Sequence, residues 1–279
     1  MIDRLDYGKS GAEPYTHLKN YHLFQLDIRN TGAVERIISK TDCVVHLAAL
    51  VGEPLCNRDL EETWSVNFGG TYGIVKLVEN HHIPLIFAST CSNYGMLEGW
   101  ATEKTPLNPK GVYAETKVNA EKIISQVHPH VILRFATLYG VSPRMRMDLM
   151  LNEWTASMIH DKRVEVYQPE AYRPIVHVVD AARLVKAIIG GMNVAIDKTY
   201  NVGGYNLTKR QLAVIIQKET HGEIVVVDKG DPRSYRVSFN KIGEQFGFYP
   251  RITPTDGVHE VMEYLFLHPD AYNYGNVGK

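Results

Sequence analysis

The sequence is poor in several features, and each shortage removes a class of protein. It has three cysteines, Cys43, Cys56 and Cys91, in 279 residues. They are odd in number and widely spaced, which excludes a disulfide-built scaffold and a four-cysteine zinc site and suits a reducing cytoplasm. No other metal-ligating pattern stands out. No apolar run approaches the ~18 residues that cross a bilayer, so no membrane span is expected. The opening MIDRLDYGKSG has no apolar core of a secretion signal. Charge of one sign is not in excess either: Lys+Arg 30 against Asp+Glu 31 leaves a net charge of -1. A near-neutral chain carries no electrostatic footprint for nucleic acid or an anionic membrane. Internal repeats and low-complexity tracts are missing too.

What is present is ample material for a core, with 44% hydrophobic residues. Short apolar runs at 22–28, 43–49, 85–90 and 131–135 read as buried strands. Helical patterns lie between them, at 33–40, 61–80 and 113–127. Gly69, Gly70 and Gly73 weaken the second, and the third follows a loop marked by Pro106, Pro109 and Gly111. Strand and helix in alternation mean βαβ units, and hence a doubly wound α/β parallel sheet. Ligands bind such sheets at the carboxyl ends of the strands. Beyond about residue 140 the rhythm changes. Helices are expected at 148–160, 179–190, 209–220 and near 258–267, with strands at 199–202 and 223–228. We therefore expect a dinucleotide-binding domain over 1–140 and a smaller substrate lobe over 141–279, with about 173–204 packing back on the first part.

Tyr113-Ala-Glu-Thr-Lys117 places a tyrosine and a lysine one helical turn apart on one face. An ammonium beside a phenol stabilises the phenolate and moves the tyrosine pKa from about 10 toward neutrality, which makes a general acid/base. The spacing alone says little, because Tyr15/Lys19, Tyr72/Lys76 and Tyr205/Lys209 share it. Only Tyr113/Lys117 opens a helix after a strand that ends in a hydroxyl cluster, Ser89, Thr90 and Ser92.

In this order and spacing the chain resembles the extended short-chain dehydrogenase/reductases, in their NAD-dependent nucleotide-sugar epimerase/dehydratase branch. The resemblance is carried by Val44-Val-His-Leu-Ala-Ala49 with Val51-Gly-Glu-Pro54, Val66-Asn-Phe-Gly-Gly-Thr71 and Ser89-Thr-Cys-Ser-Asn-Tyr-Gly95. Tyr113/Lys117, Leu133-Arg-Phe-Ala-Thr-Leu-Tyr-Gly140 and Arg173-Pro-Ile-Val-His-Val-Val-Asp180 continue it. Tyr200-Asn-Val-Gly-Gly204, Asp231-Pro-Arg233 and Gly247-Phe-Tyr-Pro250 complete it. The resemblance implies a Rossmann-like fold and a catalytic set of Thr90, Tyr113 and Lys117. It implies that Asp3 binds the adenosine ribose, that Asp27 and Ile28 contact the adenine side, and that Leu47, Ala48, Ala49, Asn67 and Ala136 line the NAD site. Thr137, Arg173 and Arg233 match positions on the substrate's diphosphate, where guanidinium forks suit phosphate oxygens. A nucleoside-diphosphate sugar is thus the implied substrate, and a homodimer packed through helices 61–80 and 113–127 the implied assembly, the three glycines allowing close approach.

Two departures from the family pattern shape the expectation. Members open with a strand, a Gly-x-x-Gly-x-x-Gly turn and a helix over roughly 30 residues. Here Met1-Ile2-Asp3 reads as the end of the second strand, so the first strand and helix are expected to be missing and dinucleotide binding to be weakened. Sugar 4,6-dehydratases of this branch carry an acidic pair just after the catalytic threonine, whereas this chain has Cys91 and Ser92. Dehydration is therefore disfavoured. The reading is an NAD-dependent nucleotide-sugar epimerase that works through a keto sugar. An NAD(P)-dependent reductase or dehydrogenase stays open, Arg4 beside Asp3 leaving room for NADP, as does a catalytically impaired family member. His177 and Asp180 are expected to be structural, with Asp180 near a helix start.

Overall fold

A computed structural model of the chain describes residues 1–228, 234–269 and 271. Two compact units emerge, each assembled from separate stretches of chain. The first comprises Met1–Thr90, Gly111–Leu133 and Met192–Thr199. The second comprises Cys91–Lys110, Arg134–Gly191 and the described residues from Tyr200 on.

In the first unit, strands Ile2–Asp3 and Phe24–Gln25 pair in parallel, Ile2 opposite Phe24. Strands Val44–His46 and Leu85–Thr90 also pair in parallel, His46 opposite Phe87. The second pair belongs to a four-stranded sheet ordered Lys198–Val202, His130–Phe135, Leu85–Thr90, Val44–His46. Parallel neighbours need crossover connections, and helices supply them. Helix Thr31–Ile38 starts where the Asn30 side chain accepts from Ala33 N at 3.2 Å. It buries Val34 and Ile38 against Ile74, Val78 and Leu85. The next crossover is one helical run in three parts: Leu60–Trp64, a wider π-type stretch over Ser65–Gly70, and Thr71–His81. His82, in the left-handed conformation at φ 54°, ends it.

The glycines expected to serve a dimer interface have work inside the unit. A Cβ on Gly70 would lie 2.6 Å from Ile28 Cδ1, and one on Gly73 would lie 2.8 Å from Thr31 Cγ2. They let this helix settle on the Ile28–Thr31 segment. Helix Val112–Ile124 is buried on more than one face, Lys117 and Glu121 included.

In the second unit, a three-stranded sheet runs Tyr205–Thr208, Tyr172–His177, Thr137–Tyr139. Its first pair is antiparallel and its second parallel. Arg163–Tyr167 pairs with Glu223–Val227, and Met96–Ala101 with Ser234–Val237, both in parallel. Helices Met150–His160, Lys209–Thr220 and Pro254–Leu267 close a core that includes Trp154, Met158, Leu212, Ile216, Val258 and Val261. Thr208 and Thr253 each form a capping box at a helix start.

The strand expected over 22–28 is paired only at Phe24–Gln25. Beyond it the Asp27 carboxylate accepts from Arg29 N at 2.8 Å and the chain turns. The strand expected over 43–49 stops at His46. There the Asn67 side chain takes both Leu50 N (2.7 Å) and Leu50 O (3.0 Å), which holds that segment out of a ladder.

Candidate active site

Leu85–Thr90 is buried along almost its whole length and ends at Thr90, itself only 8% exposed. Helix Val112–Ile124 brings Lys117 against this strand. The Lys117 ammonium donates to Ala88 O at 2.9 Å and lies 4.6 Å from the centre of the Phe87 ring. Tyr113 sits one turn earlier on the same helix and is partly exposed. Thr90, Tyr113 and Lys117 thus fall in one unit, and Lys117 meets the strand two residues before Thr90. Burial pushes the Lys117 ammonium down to about 8, against weaker upward pulls from Cys56 and Glu121. Beneath it His46 is fully buried, accepts from or donates to Thr71 Oγ1 at 2.9 Å, and is pushed down to about 3 by burial and by the Lys117 charge.

The hydroxyl cluster divides. Ser89 points inward and donates to the buried Glu121 carboxylate at 2.5 Å. Thr90 stands at the strand end, and Ser92 lies in the single turn Cys91–Tyr94 that follows. The other Tyr/Lys pairs lie in other settings. Tyr15 and Tyr72 are exposed, and Lys76 pairs with Glu79 at 2.9 Å while its ammonium lies 5.8 Å from the centre of the exposed Tyr72 ring. Lys209 is fully buried with its ammonium 3.6 Å from the Tyr167 ring centre, not with Tyr205.

Further residues singled out in the sequence lie at strand ends of the same unit. Asp3 is exposed, and its carboxylate accepts from Leu5 N at 2.6 Å. Asp27 follows Phe24–Gln25 and is bound by two guanidinium groups, Arg29 at 2.6 Å and Arg4 at 3.3 Å. Hydrogen bonds from Arg29 hold its carboxyl down at about 2 despite some burial. Glu62 joins both arginines, Arg4 at 2.7 Å and Arg29 at 2.6 Å, and Asp6 also binds Arg4. Arg4 is therefore shared among three carboxylates. Ile28 is buried in the unit's core. Leu47 is 60% exposed just past Val44–His46, with the small, partly buried Ala48 and Ala49 beside it. A large apolar side chain open at a strand's carboxyl end is a surface that fits a flat ring of a dinucleotide. Asn67 is buried, and its amide is spent inside the protein, on Leu50 and, at 3.2 Å, on Thr116 Oγ1.

In the second unit, Ala136 is buried, with its N–H on Val202 O at 2.7 Å. Thr137 opens strand Thr137–Tyr139, opposite Ile175. Arg173 is buried on strand Tyr172–His177 and donates to Tyr172 O at 2.8 Å. Arg233 lies outside the described residues. Cys91 is fully buried, and its thiol donates to Arg134 O at 3.1 Å. His177 bridges to Glu260 at 2.5 Å beneath Tyr139. Asp180 accepts from Arg251 N and Ile252 N at 2.9 and 3.1 Å, so both hold structure, as expected. Two residues escaped the sequence reading, Glu53 and Glu121. A lone glutamate in a loop or helix carries no sequence signal for its partner.

A parallel sheet with crossover helices, and a Tyr–Lys helix laid against a strand that ends in threonine, define a nucleotide-dependent enzyme of the short-chain dehydrogenase type. The comparisons with known proteins agree. The model described as NAD dependent epimerase/dehydratase family matches residues 2–203, and the chain belongs to that family. It is 26% identical over 255 residues to an uncharacterized UDP-glucose epimerase, YtcB, of Bacillus subtilis (strain 168), covering 84% of this chain and 78% of that protein. It is 25% identical to a dTDP-glucose 4,6-dehydratase of an Actinoplanes species, covering 94% of this chain and 86% of that protein. Among solved structures, UDP-glucuronic acid 4-epimerase from Bacillus cereus, in complex with UDP-glucuronic acid and NAD, superposes with a TM-score of 0.86. It is 22% identical, and the match covers 95% of this chain and 90% of that one, a likeness of fold. This is a family of enzymes, and its cofactor is NAD. No helix among the described residues is long and apolar enough to cross a membrane.

Proposed function

We propose that this protein is an NAD-dependent epimerase of a nucleoside-diphosphate sugar, with Thr90, Tyr113 and Lys117 as its catalytic residues. The observation that carries the reading is the Lys117–Ala88 bond, which fastens the Tyr113 helix to the strand ending in Thr90. Asp3, Asp27, Ile28, Leu47–Ala49, Asn67, Tyr113 and Lys117 would hold the cofactor. NAD, when bound, would supply reversible hydride acceptance at a sugar carbon. The Tyr113 phenolate takes the proton of the sugar hydroxyl, and Lys117 keeps that phenolate stable. Thr90 donates to the same oxygen and fixes its position. Thr137, Arg173 and Arg233 would bind the nucleotide's phosphates, whose oxygens suit the fork of a guanidinium. Epimerisation is favoured over dehydration because a buried thiol bonded to Arg134 O stands where the acidic pair is needed. Three free thiols suit a reducing cytoplasm.

The test is to incubate the protein with NAD and either UDP-glucose or dTDP-glucose and resolve the sugar products. The C4 epimer without net NADH formation supports the reading. A 4-keto-6-deoxy sugar or stoichiometric use of the cofactor contradicts it. We also propose a homodimer through the helices of residues 60–81 and 112–124, for which sedimentation at micromolar concentration expects twice the chain mass. A monomer there refutes it.

A further inference from the structure

Tyr113 stands at the second position of its helix, and the helix start has no cap of its own. Its N-cap residue is Gly111, which offers no side chain to the first amides. Such amides need an acceptor, and a helix start favours a negative one. The acceptor here comes from a distant part of the chain. The two carboxylate oxygens of Glu53 straddle the first turn, Oε2 receiving Tyr113 N and Oε1 receiving Ala114 N, each at 3.4 Å. Gly111 is the feature that makes room. It adopts φ 102°, and a Cβ there would lie 2.4 Å from Glu53 Oε2 and 2.5 Å from Glu53 Cδ. Any side chain at 111 would therefore displace the carboxylate.

Glu53 itself is held in place. It follows Gly52 at φ 95° and opens the short helix Glu53–Cys56. The segment before it, which includes Leu47, Ala48 and Ala49, is tied to the same catalytic helix at a second point. Asn67 grips Leu50 by both its backbone groups and donates to Thr116 Oγ1 at 3.2 Å. Thr116 in turn donates to Tyr113 O at 2.8 Å. The loop proposed to line the cofactor is thus bound to the helix of the acid/base at two places, the amides of Tyr113 and Ala114 and, through Asn67, the hydroxyl of Thr116.

We propose that Glu53 is a positioning residue for Tyr113: its carboxylate, admitted by Gly111, fixes the first turn of the helix and with it the direction of the phenol. The proposal rests on the reading of Tyr113 as acid/base and is tested so that the two can fail separately. Glu53→Ala removes the acceptors, and Glu53→Gln keeps one acceptor without the charge. In the protein without cofactor, NMR follows the Tyr113 and Ala114 amides and the Tyr113 ring, the ring assigned with Tyr113→Phe. Faster amide exchange and displaced ring signals in Glu53→Ala, with a smaller change in Glu53→Gln and an unchanged far-ultraviolet dichroism, are expected. In turnover, kcat falls about 10–100-fold in Glu53→Ala with KM for the sugar nearly constant, because a small misplacement of a catalytic group acts on the reaction rather than on binding. Amides and ring unmoved in Glu53→Ala overturn the proposal. So does a moved ring with kcat unchanged. Failure of Tyr113→Phe to lower turnover contradicts the acid/base reading instead, and leaves the NMR result to decide what Glu53 holds.

Discussion

Lys117 makes the structure's most specific claim about energetics, because a buried ammonium costs stability in a way that depends on pH. The group is 3% exposed, and burial lowers it from 10.5 to about 8. Its folded value lies below its unfolded value, so between those two the unfolded chain binds more protons and stability rises with pH. Between pH 7 and pH 9 the linkage relation gives a gain of about 1.3 kcal/mol from this residue alone. Two neighbours titrate in part over the same interval, in both proteins alike, so the comparison cancels them. His46, pushed down to about 3 in the fold from 6.5, adds about 0.2 kcal/mol above pH 7. Cys56, pushed up to about 11 by burial from 9.0, takes away about 0.4 kcal/mol by pH 9. Replacing Lys117 with methionine keeps much of the apolar stem and removes the charge. Urea melts of both proteins at pH 7 and pH 9 are the assay. The wild type is expected to gain about 1 kcal/mol more than Lys117→Met over that interval. Equal pH dependence in the two proteins would refute the reasoning, because the ammonium would then be solvated or fully compensated.

Other outcomes follow from named contacts. Arg4 is bound by Asp6, Asp27 and Glu62, so it is not free to meet the 2′-phosphate of NADP. Glu62→Gln should tighten NADP relative to NAD by roughly 3–10-fold, as a released guanidinium gains a phosphate partner; an unchanged ratio in competition binding counts against this lock. Asn67→Ala removes the acceptor of Leu50 N and one donor each from Leu50 O, which keeps the Cys56 thiol, and Thr116 Oγ1, which keeps Tyr113 O. It should cost about 2–4 kcal/mol in a urea melt, and a loss under about 0.5 kcal/mol would show that this tether does not hold the loop.

Much of this arrangement was legible in the sequence, where local pattern and global position agree. Leu85–Thr90 is a short apolar run with polar ends, and it forms the strand as read. Lys209–Thr220 begins at a threonine with glutamine three residues on, and forms with its capping box. Tyr113/Lys117 stood out from three equal spacings because of what precedes it, and the helix does meet the strand at Ala88. What stayed hidden was tertiary. The strands Met96–Ala101 and Ser234–Val237 carry little apolar alternation of their own and find each other across the sequence. The passages between units at Cys91 and Arg134 have no linker composition, and the Pro/Gly loop before Gly111 reads as a helix start, so the interleaving goes unseen in the sequence. The glycines of the long helical run suggested an interface between copies, yet Gly70 and Gly73 meet the chain's own Ile28 and Thr31. Glu53 and Glu121 act on residues far from them in sequence, and only the fold reveals the pairing.

The central claim is that Tyr113, alone among the tyrosines spaced four residues before a lysine, is the acid/base of this protein. The direct measurement is turnover of a nucleoside-diphosphate sugar with NAD by Tyr113→Phe, set beside Tyr15→Phe, Tyr72→Phe and Tyr205→Phe, with each fold checked by circular dichroism. Tyr113→Phe is expected to lose roughly 10²–10⁴ in kcat, the usual worth of a general acid/base, while the other three stay within about twofold of the wild type. Retained turnover in Tyr113→Phe, or its loss in one of the others, contradicts the account.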